Sequence, residues 1–154
     1  VMRRPSLNGG LFLFFDTTID PGTIRAYRET EYRVLGDTPA TLNVDAACVD
    51  LAAIHEAHRV DCSAFITACN PFSEPLGETA NAQRQSAFAR ELARRGLAFI
   101  NAIGQHPVGD WPGEASFLVL GLQLDAARLL GTQHGQNAIV WSGPDAVPRL
   151  ILLR

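Results

Sequence analysis

Apolar positions along this chain recur with two periods, and their alternation lays out a series of elements. Asp20 and Pro21 read as an N-cap and first helical residue, opening a short helix to about Thr30. Tyr32 to Leu35 and Thr41 to Val44 are strand-like runs around the turn signal Gly36-Asp37-Thr38-Pro39, which predicts a hairpin. Between Val49 and His58 the stripe Leu51, Ala52, Ile54, Ala57 predicts a helix that ends at Val60 and Asp61. Cys62 to Cys69 then reads as a buried strand, Glu78 to Arg95 as a helix stopped by Gly96, and Leu97 to Ile103 as a second strand. A loop rich in Gly and Pro runs through Gly113. Ser116 to Leu122 is a further strand, Leu124 to His134 a helix closed by Gly135, and Ala138 to Trp141 and Val147 to Leu153 are strands around Ser142-Gly143-Pro144-Asp145.

From Cys62 onward the order is strand, helix, strand, strand, helix, strand, the split βαβ pattern of ferredoxin-like sandwiches. The predicted fold class is therefore α+β: a two-layer sandwich with a ferredoxin-like βαββαβ core over about 62–154, preceded by an N-terminal helix, a hairpin and a helix. A doubly wound parallel sheet would need a crossover helix between residues 104 and 114, and that loop carries no helical pattern. Residues 1–18 are expected to form an arm outside the fold, and 19–154 a single domain. Chain direction then gathers three polar clusters at one end of the sheet: Asn70 to Arg84, Trp111 to Ser116, and Gly135 to Asn137.

Composition narrows the classes. With 154 residues and 47% hydrophobic content, the chain can bury a core without disulfide or metal staples, and 19% charged residues argue against long disordered segments. The net charge of -3 opposes general attraction to nucleic acid or anionic lipid, although Arg84, Arg90, Arg94 and Arg95 share one predicted helix. All thirteen basic residues are arginine, a pattern more often due to codon bias than to phosphate binding. Cys48, Cys62 and Cys69 form no CxxC pair, so no disulfide framework or zinc ribbon is expected, and the default compartment is a reducing cytoplasm. The apolar run Leu11 to Phe15 meets Asp16 too soon for a secretory core, and no run approaches the ~18 apolar residues of a membrane span. Neither a membrane association nor a cofactor is expected.

The polar clusters hold the candidate chemistry. Asn70 before Pro71 either turns its own loop in an Asx motif, with Pro71 biasing it toward extended backbone, or contacts a ligand. Asn81 and Arg84 lie three apart near a helix N-terminus, where an arginine fork suits a carboxylate or phosphate; the alternative is an internal pair between Arg84 and Glu114. Glu114 beside Ser116 is the candidate general base, a role that requires a raised pKa. Gln136 and Asn137 either read the edge of a planar ligand or close the preceding helix, and Trp111 and Trp141 either stack on that ligand or pack. His106 and His134 fall at the same end and are lesser acid/base candidates. His55 and His58 read as a solvated helix face, not as metal ligands, because the HExxH spacing is absent. GxSxG, P-loop and GxGxxG signatures are also missing.

Several ungapped motifs together carry a resemblance: Glu31 to Val34 (EYRV), Ala64 to Pro71 (AFITACNP), Asn81 to Gln85 (NAQRQ), Trp111 to Leu122 (WPGEASFLVLGL) and Leu130 to Trp141 (LGTQHGQNAIVW). The chain resembles the DUF3293 family of bacterial proteins of unknown function from about Thr30 to its end. In that pattern an aromatic residue often precedes the Asn-Pro; Cys69 stands there in this chain, which counts against an essential cysteine nucleophile.

Two functional readings follow. One is a site for a small anionic ligand, nucleotide-, phosphate- or carboxylate-like, built by Asn70, Asn81, Arg84, Trp111, Ser116, Gln136 and Asn137, with Glu114 as the catalytic candidate. The other is a homodimerising or protein-interaction module in which those side chains are internal braces and Ser116 to Leu122 or Val147 to Leu153 pairs with a second copy. Nucleic-acid binding is disfavoured by charge.

Overall fold

The computed structural model describes residues 17–108 and 112–154. The expected N-terminal arm falls almost entirely outside the described residues, and so does Trp111. Among the described residues the chain folds as a mixed α/β domain of four helices on a curled, seven-stranded antiparallel sheet.

Helix α1, Pro21–Glu29, starts where Asp20 accepts hydrogen bonds from the amides of Gly22 and Thr23, with Pro21 in the position that needs no amide hydrogen. Strands β1, Glu31–Val34, and β2, Ala40–Leu42, form the predicted hairpin, and α2, Val49–Ala57, follows. Next come β3, Ser63–Ile66; α3, Glu78–Arg94; β4, Phe99–Gln105; β5, Glu114–Leu120; and α4, Leu124–Gln133. Strands β6, Ala138–Ser142, and β7, Pro148–Leu152, close the sheet. Its order is β2-β1-β4-β5-β3-β6-β7, with every neighbouring pair antiparallel.

Alternation along the strands divides the buried side chains between two cores. On one face Ala64, Ile66, Phe117, Val119 and Ile139 meet Phe88 and Leu92 of α3 and Ala127 and Leu130 of α4. On the other, Val34, Phe65, Leu118, Leu120 and Val140 meet Leu51 and Ile54 of α2. Helices therefore cover both faces, because the strands are apolar on both sides and neither side can be left to water.

Two expectations are corrected here. Strand β5 lies inside the sheet, paired with β4 through Phe99↔Val119 and with β3 through Ser63↔Leu120, so Ser116 to Leu122 offers no free edge to a second copy. His55 is not on a solvated face: it is 5% exposed, and its Nε2 lies 2.8 Å from Ser63 Oγ under the sheet. The apolar stripe of α2 holds Leu51 and Ile54, and a polar residue beside Ile54 is buried because β3 supplies it with a hydroxyl partner.

Candidate functional site

The loop after β3 is the pivot of the polar end. Asn70 takes the left-handed conformation, with φ 46° and ψ 62°, not the extended one expected before proline. Phe72 and Ser73 also have positive φ, 58° and 60°. The contacts around Asn70 hold this turn: its amide N–H donates to Asn81 Oδ1 at 2.9 Å, and its Oδ1 accepts from Asn81 Nδ2 and the Leu76 amide, each at 2.9 Å. Its remaining side-chain group, Nδ2, donates to Glu114 Oε2 at 2.8 Å. The turn is also pressed against the end of α4, where Phe72 N–H donates to the Gly135 carbonyl at 2.7 Å. Gly135 has φ +69°, and a Cβ there would sit 3.0 Å from Pro71 Cβ, so glycine is required both for the backbone angle and for this approach.

Arg84 has a different role from either sequence expectation. Its Nε donates to the Ala68 carbonyl at 2.6 Å and its Nη2 to the His134 carbonyl at 2.8 Å, while Glu114 pairs with Asn70 instead. Ala68 lies just past the end of β3, where its peptide has lost its sheet partners. The neighbouring Gln85 takes the Ala68 amide through Oε1 at 3.0 Å, so residues 84 and 85 of α3 satisfy both polar groups of one buried residue. His134 caps α4, where its carbonyl carries the helix's negative end and favours a guanidinium.

The face of the sheet that α2 covers elsewhere opens, at this end, into a cavity of about 120 Å³. Asn70, Glu114, Ser116, Gln136 and Asn137 all reach it, so residues from the three predicted clusters do converge. Glu114 and Ser116 face the cavity because they share the period-two face of β5 with Leu118 and Leu120. Asn81 and Arg84 stand behind the loop and do not line it. Gln136 donates through Nε2 to the carbonyls of Cys69 at 3.1 Å and His134 at 3.2 Å, and Asn137 Nδ2 donates to Tyr27 Oη at 3.0 Å and Ser73 Oγ at 3.3 Å. Ser116 Oγ donates to the Glu114 backbone carbonyl at 3.0 Å.

Tyr27, Tyr32, Phe65 and Thr67 complete the wall and were not singled out as site residues in the sequence. Tyr32 belongs to the EYRV motif, and its antiparallel register opposite Gly104 of β4 carries it to the cavity. Its hydroxyl donates to the Tyr27 carbonyl at 2.6 Å, tying α1 to the sheet, and its ring meets Phe65 edge-on at 5.1 Å. Tyr27 in turn shares a hydrogen bond with Ser73 across the loop.

Glu114 is the charged group of this cavity. Burial pushes its carboxyl above the ordinary range, and the bond from Asn70 only partly offsets that rise. Among the described residues its Oε1 accepts no hydrogen bond and is not sealed from the cavity. Burial likewise raises the Tyr32 phenol and the Cys69 thiol, so both stay protonated near neutral pH. Cys69 donates to the Ala115 carbonyl at 3.5 Å as a buried packing residue. The other candidates lie elsewhere. His134 stacks on Phe88 at 4.4 Å and meets Glu91 at 2.9 Å, His106 lies 3.2 Å from Glu29, and Trp141 donates to the Leu122 carbonyl at 2.9 Å within the core. No grouping of three His, Cys, Asp or Glu able to hold a metal occurs among the described residues.

Fold and site together define a mixed α/β domain with a small carboxylate-bearing cavity at one end of a curled antiparallel sheet. Residues 66–139 match the model of the DUF3293 family, described as a protein of unknown function. That segment supplies Asn70, Arg84, Glu114, Gln136 and Asn137, while Tyr27 and Tyr32 come from outside it. No curated protein and no solved structure matches the chain.

Proposed function

We propose that this protein is a small-ligand-binding domain whose site is the cavity at Glu114. The observation that carries the reading is the carboxyl itself: mostly buried, held by Asn70 on one oxygen, with the other oxygen open to the cavity and no opposing cation among the described lining residues. A structural carboxylate is normally paired on both sides, because ionising it in a half-dry place is costly. A poised one is the usual mark of a binding or catalytic group. The same carboxyl, kept protonated to higher pH by burial, has the property a general acid or base needs.

The anionic ligand expected from sequence draws less support, since the Arg84 Nε and Nη2 groups are committed to carbonyls and the cavity's own charge is negative. Small fragments of about six or fewer non-hydrogen atoms, screened by protein-detected NMR, test the reading; the cavity is somewhat smaller than the ~150 Å³ that holds benzene. Signals of Asn70, Gln136 and Asn137 should move together with at least one fragment class. A screen that leaves all three in place refutes the site.

Finer readings belong to the same proposal. Strands β4-β5-β3-β6 with α3 and α4 fit a ferredoxin-like βαββαβ unit, as their antiparallel order supports. Three free cysteines support a reducing compartment such as the cytoplasm. The second functional reading, self-association, retains one strand: β7 is a sheet edge, and its Leu150, Ile151 and Leu152 are half-buried. Light scattering at rising protein concentration decides it, a constant monomer mass removing this reading.

A further inference from the structure

We propose that the cavity takes a small organic ammonium compound, its N–H groups received by Glu114 and its short alkyl part lying against Tyr32, Phe65 and Val140. The inference rests on the binding reading above and adds the chemical class.

Hydrogen-bond supply and demand in the cavity are unequal. Both amide hydrogens of Gln136 and both of Asn137 are used within the protein, and the Asn70 amide gives one of its two to Glu114. The hydroxyls of Thr67, Ser116 and Tyr32 donate to backbone carbonyls at 2.6, 3.0 and 2.6 Å. The second Asn70 hydrogen and one hydroxyl hydrogen of the Tyr27 and Ser73 pair are left over. Against them stand Glu114 Oε1 and Gln136 Oε1, neither of which has a partner among the described residues; with two lone pairs each, these oxygens offer four acceptor positions to two spare hydrogens. The Gln136 orientation is fixed, because only its NH₂ group can face two carbonyls.

A ligand that fits this surplus of acceptors is donor-rich, and an ammonium, with three donors and no acceptor, fits it better than an amide, alcohol or carboxylate. Charge and surface agree. Glu114 is the only acidic or basic side chain among the described lining residues, and three aromatic side chains, Tyr27, Tyr32 and Phe65, line the same cavity, a ring type that attracts cations. A cavity of about 120 Å³ limits the ligand to roughly six non-hydrogen atoms. An ammonium competes with a proton for this carboxyl, so affinity rises with pH as the carboxyl ionises, above its ordinary range because of burial, and falls once the amine loses its charge. The facing titratable groups do not confuse this window: Tyr32 of β1 and Cys69 after β3 are raised by burial and stay neutral, Tyr27 of α1 is a phenol, and Arg84 of α3 stands behind the loop as a permanent cation.

The test is a protein-detected NMR titration of the whole chain with n-propylammonium, n-propanol, propionamide and propionate at matched ionic strength. Wild type and Glu114→Gln are compared at pH 4.5 and pH 8. Propylammonium is expected to move the signals of Asn70 and Gln136, to bind more tightly at pH 8 than at pH 4.5, and to lose at least tenfold in affinity in Glu114→Gln at pH 8. Propionamide or propionate binding as tightly as propylammonium, with no loss in the variant, would overturn the ammonium class while leaving the cavity a ligand site. No shift from any probe overturns this proposal, and a blank fragment screen then removes the site itself. Should Glu114→Gln fail to fold, the wild-type contrast between propylammonium and propanol, with its pH dependence, decides alone.

Discussion

Arg84→Ala is the substitution that separates a brace from a ligand contact. In the folded protein the guanidinium donates at 2.6 Å to the Ala68 carbonyl and at 2.8 Å to the His134 carbonyl. Alanine removes both donors: the Ala68 carbonyl beyond the end of β3 is stranded, while the His134 carbonyl at the cap of α4 keeps only Gln136 Nε2 at 3.2 Å. Hydrogen bonds from a charged donor contribute about 1.5–3 kcal/mol each, and since this site is only half buried, water recovers part of the loss, giving an expected destabilisation of about 2–4 kcal/mol. For a domain of this size each kcal/mol lowers the melting temperature by about 2–4 °C, so the midpoint should fall by roughly 4–16 °C. Urea unfolding followed by circular dichroism gives the free energy directly, with an unchanged slope confirming that both proteins unfold from a comparable native state. Arg84→Lys should recover only part of the loss, because one ammonium does not reproduce a fork that spans two acceptors. A melting temperature within about 1 °C of wild type would refute the brace, and a simultaneous loss of ligand binding would return Arg84 to the site.

The remaining predictions concern buried groups. Glu114→Gln keeps an acceptor for Asn70 while removing the buried charge. The folded carboxyl has a raised pKa, so wild-type stability is fully present below the unfolded value near 4.5 and declines as pH rises through the folded one; the variant should gain on wild type as pH increases from 4 to 8 in paired denaturation curves. His55 behaves in the opposite sense. Burial lowers its pKa, so the stability of the neutral form is complete above about 6.5 and is lost as pH falls toward the folded value, with Asp61 partly opposing; His55→Gln should flatten the melting-temperature profile below pH 6.5. Gly131→Ala places a Cβ 2.7 Å from Ile139 Cγ2 and 2.7 Å from Leu153 Cδ1. It should cost about 1–3 kcal/mol in urea unfolding despite alanine's better helix propensity, and a stabilised variant would show that β6 and the chain after β7 can move away from α4.

Most elements were legible because their signals are local. The cap at Asp20, the stripe of α2, the stops at Gly96 and Gly135 and the strand runs from Ala64 onward each lie within one element, and the structure places them with small shifts at the ends. The convergence of Asn70, Glu114, Gln136 and Asn137 was also legible, since chain direction alone fixes which strand ends share a side. Partners were not. That Glu114 faces Asn70 and Arg84 faces two carbonyls depends on a left-handed Asn70, a conformation that proline disfavours in the residue before it and that the surrounding contacts impose. Tyr27 and Tyr32 were missed as site residues because they enter through the β1 to β4 pairing, a contact some seventy residues apart that no local pattern encodes. His55 was misread because its partner Ser63 lies in another element.

Strand β5 turns its odd-numbered residues Phe117 and Val119 toward α3 and α4, and its even-numbered ones, Glu114 and Ser116, into the cavity. A single seven-residue strand is thus written in two interleaved texts, one for the packing that keeps the domain folded and one for what it meets. Changes at 114 and 116 can alter the second without disturbing the first. A lineage of such proteins could exchange its cavity chemistry by single even-numbered substitutions while the helical side of the sheet stayed the same.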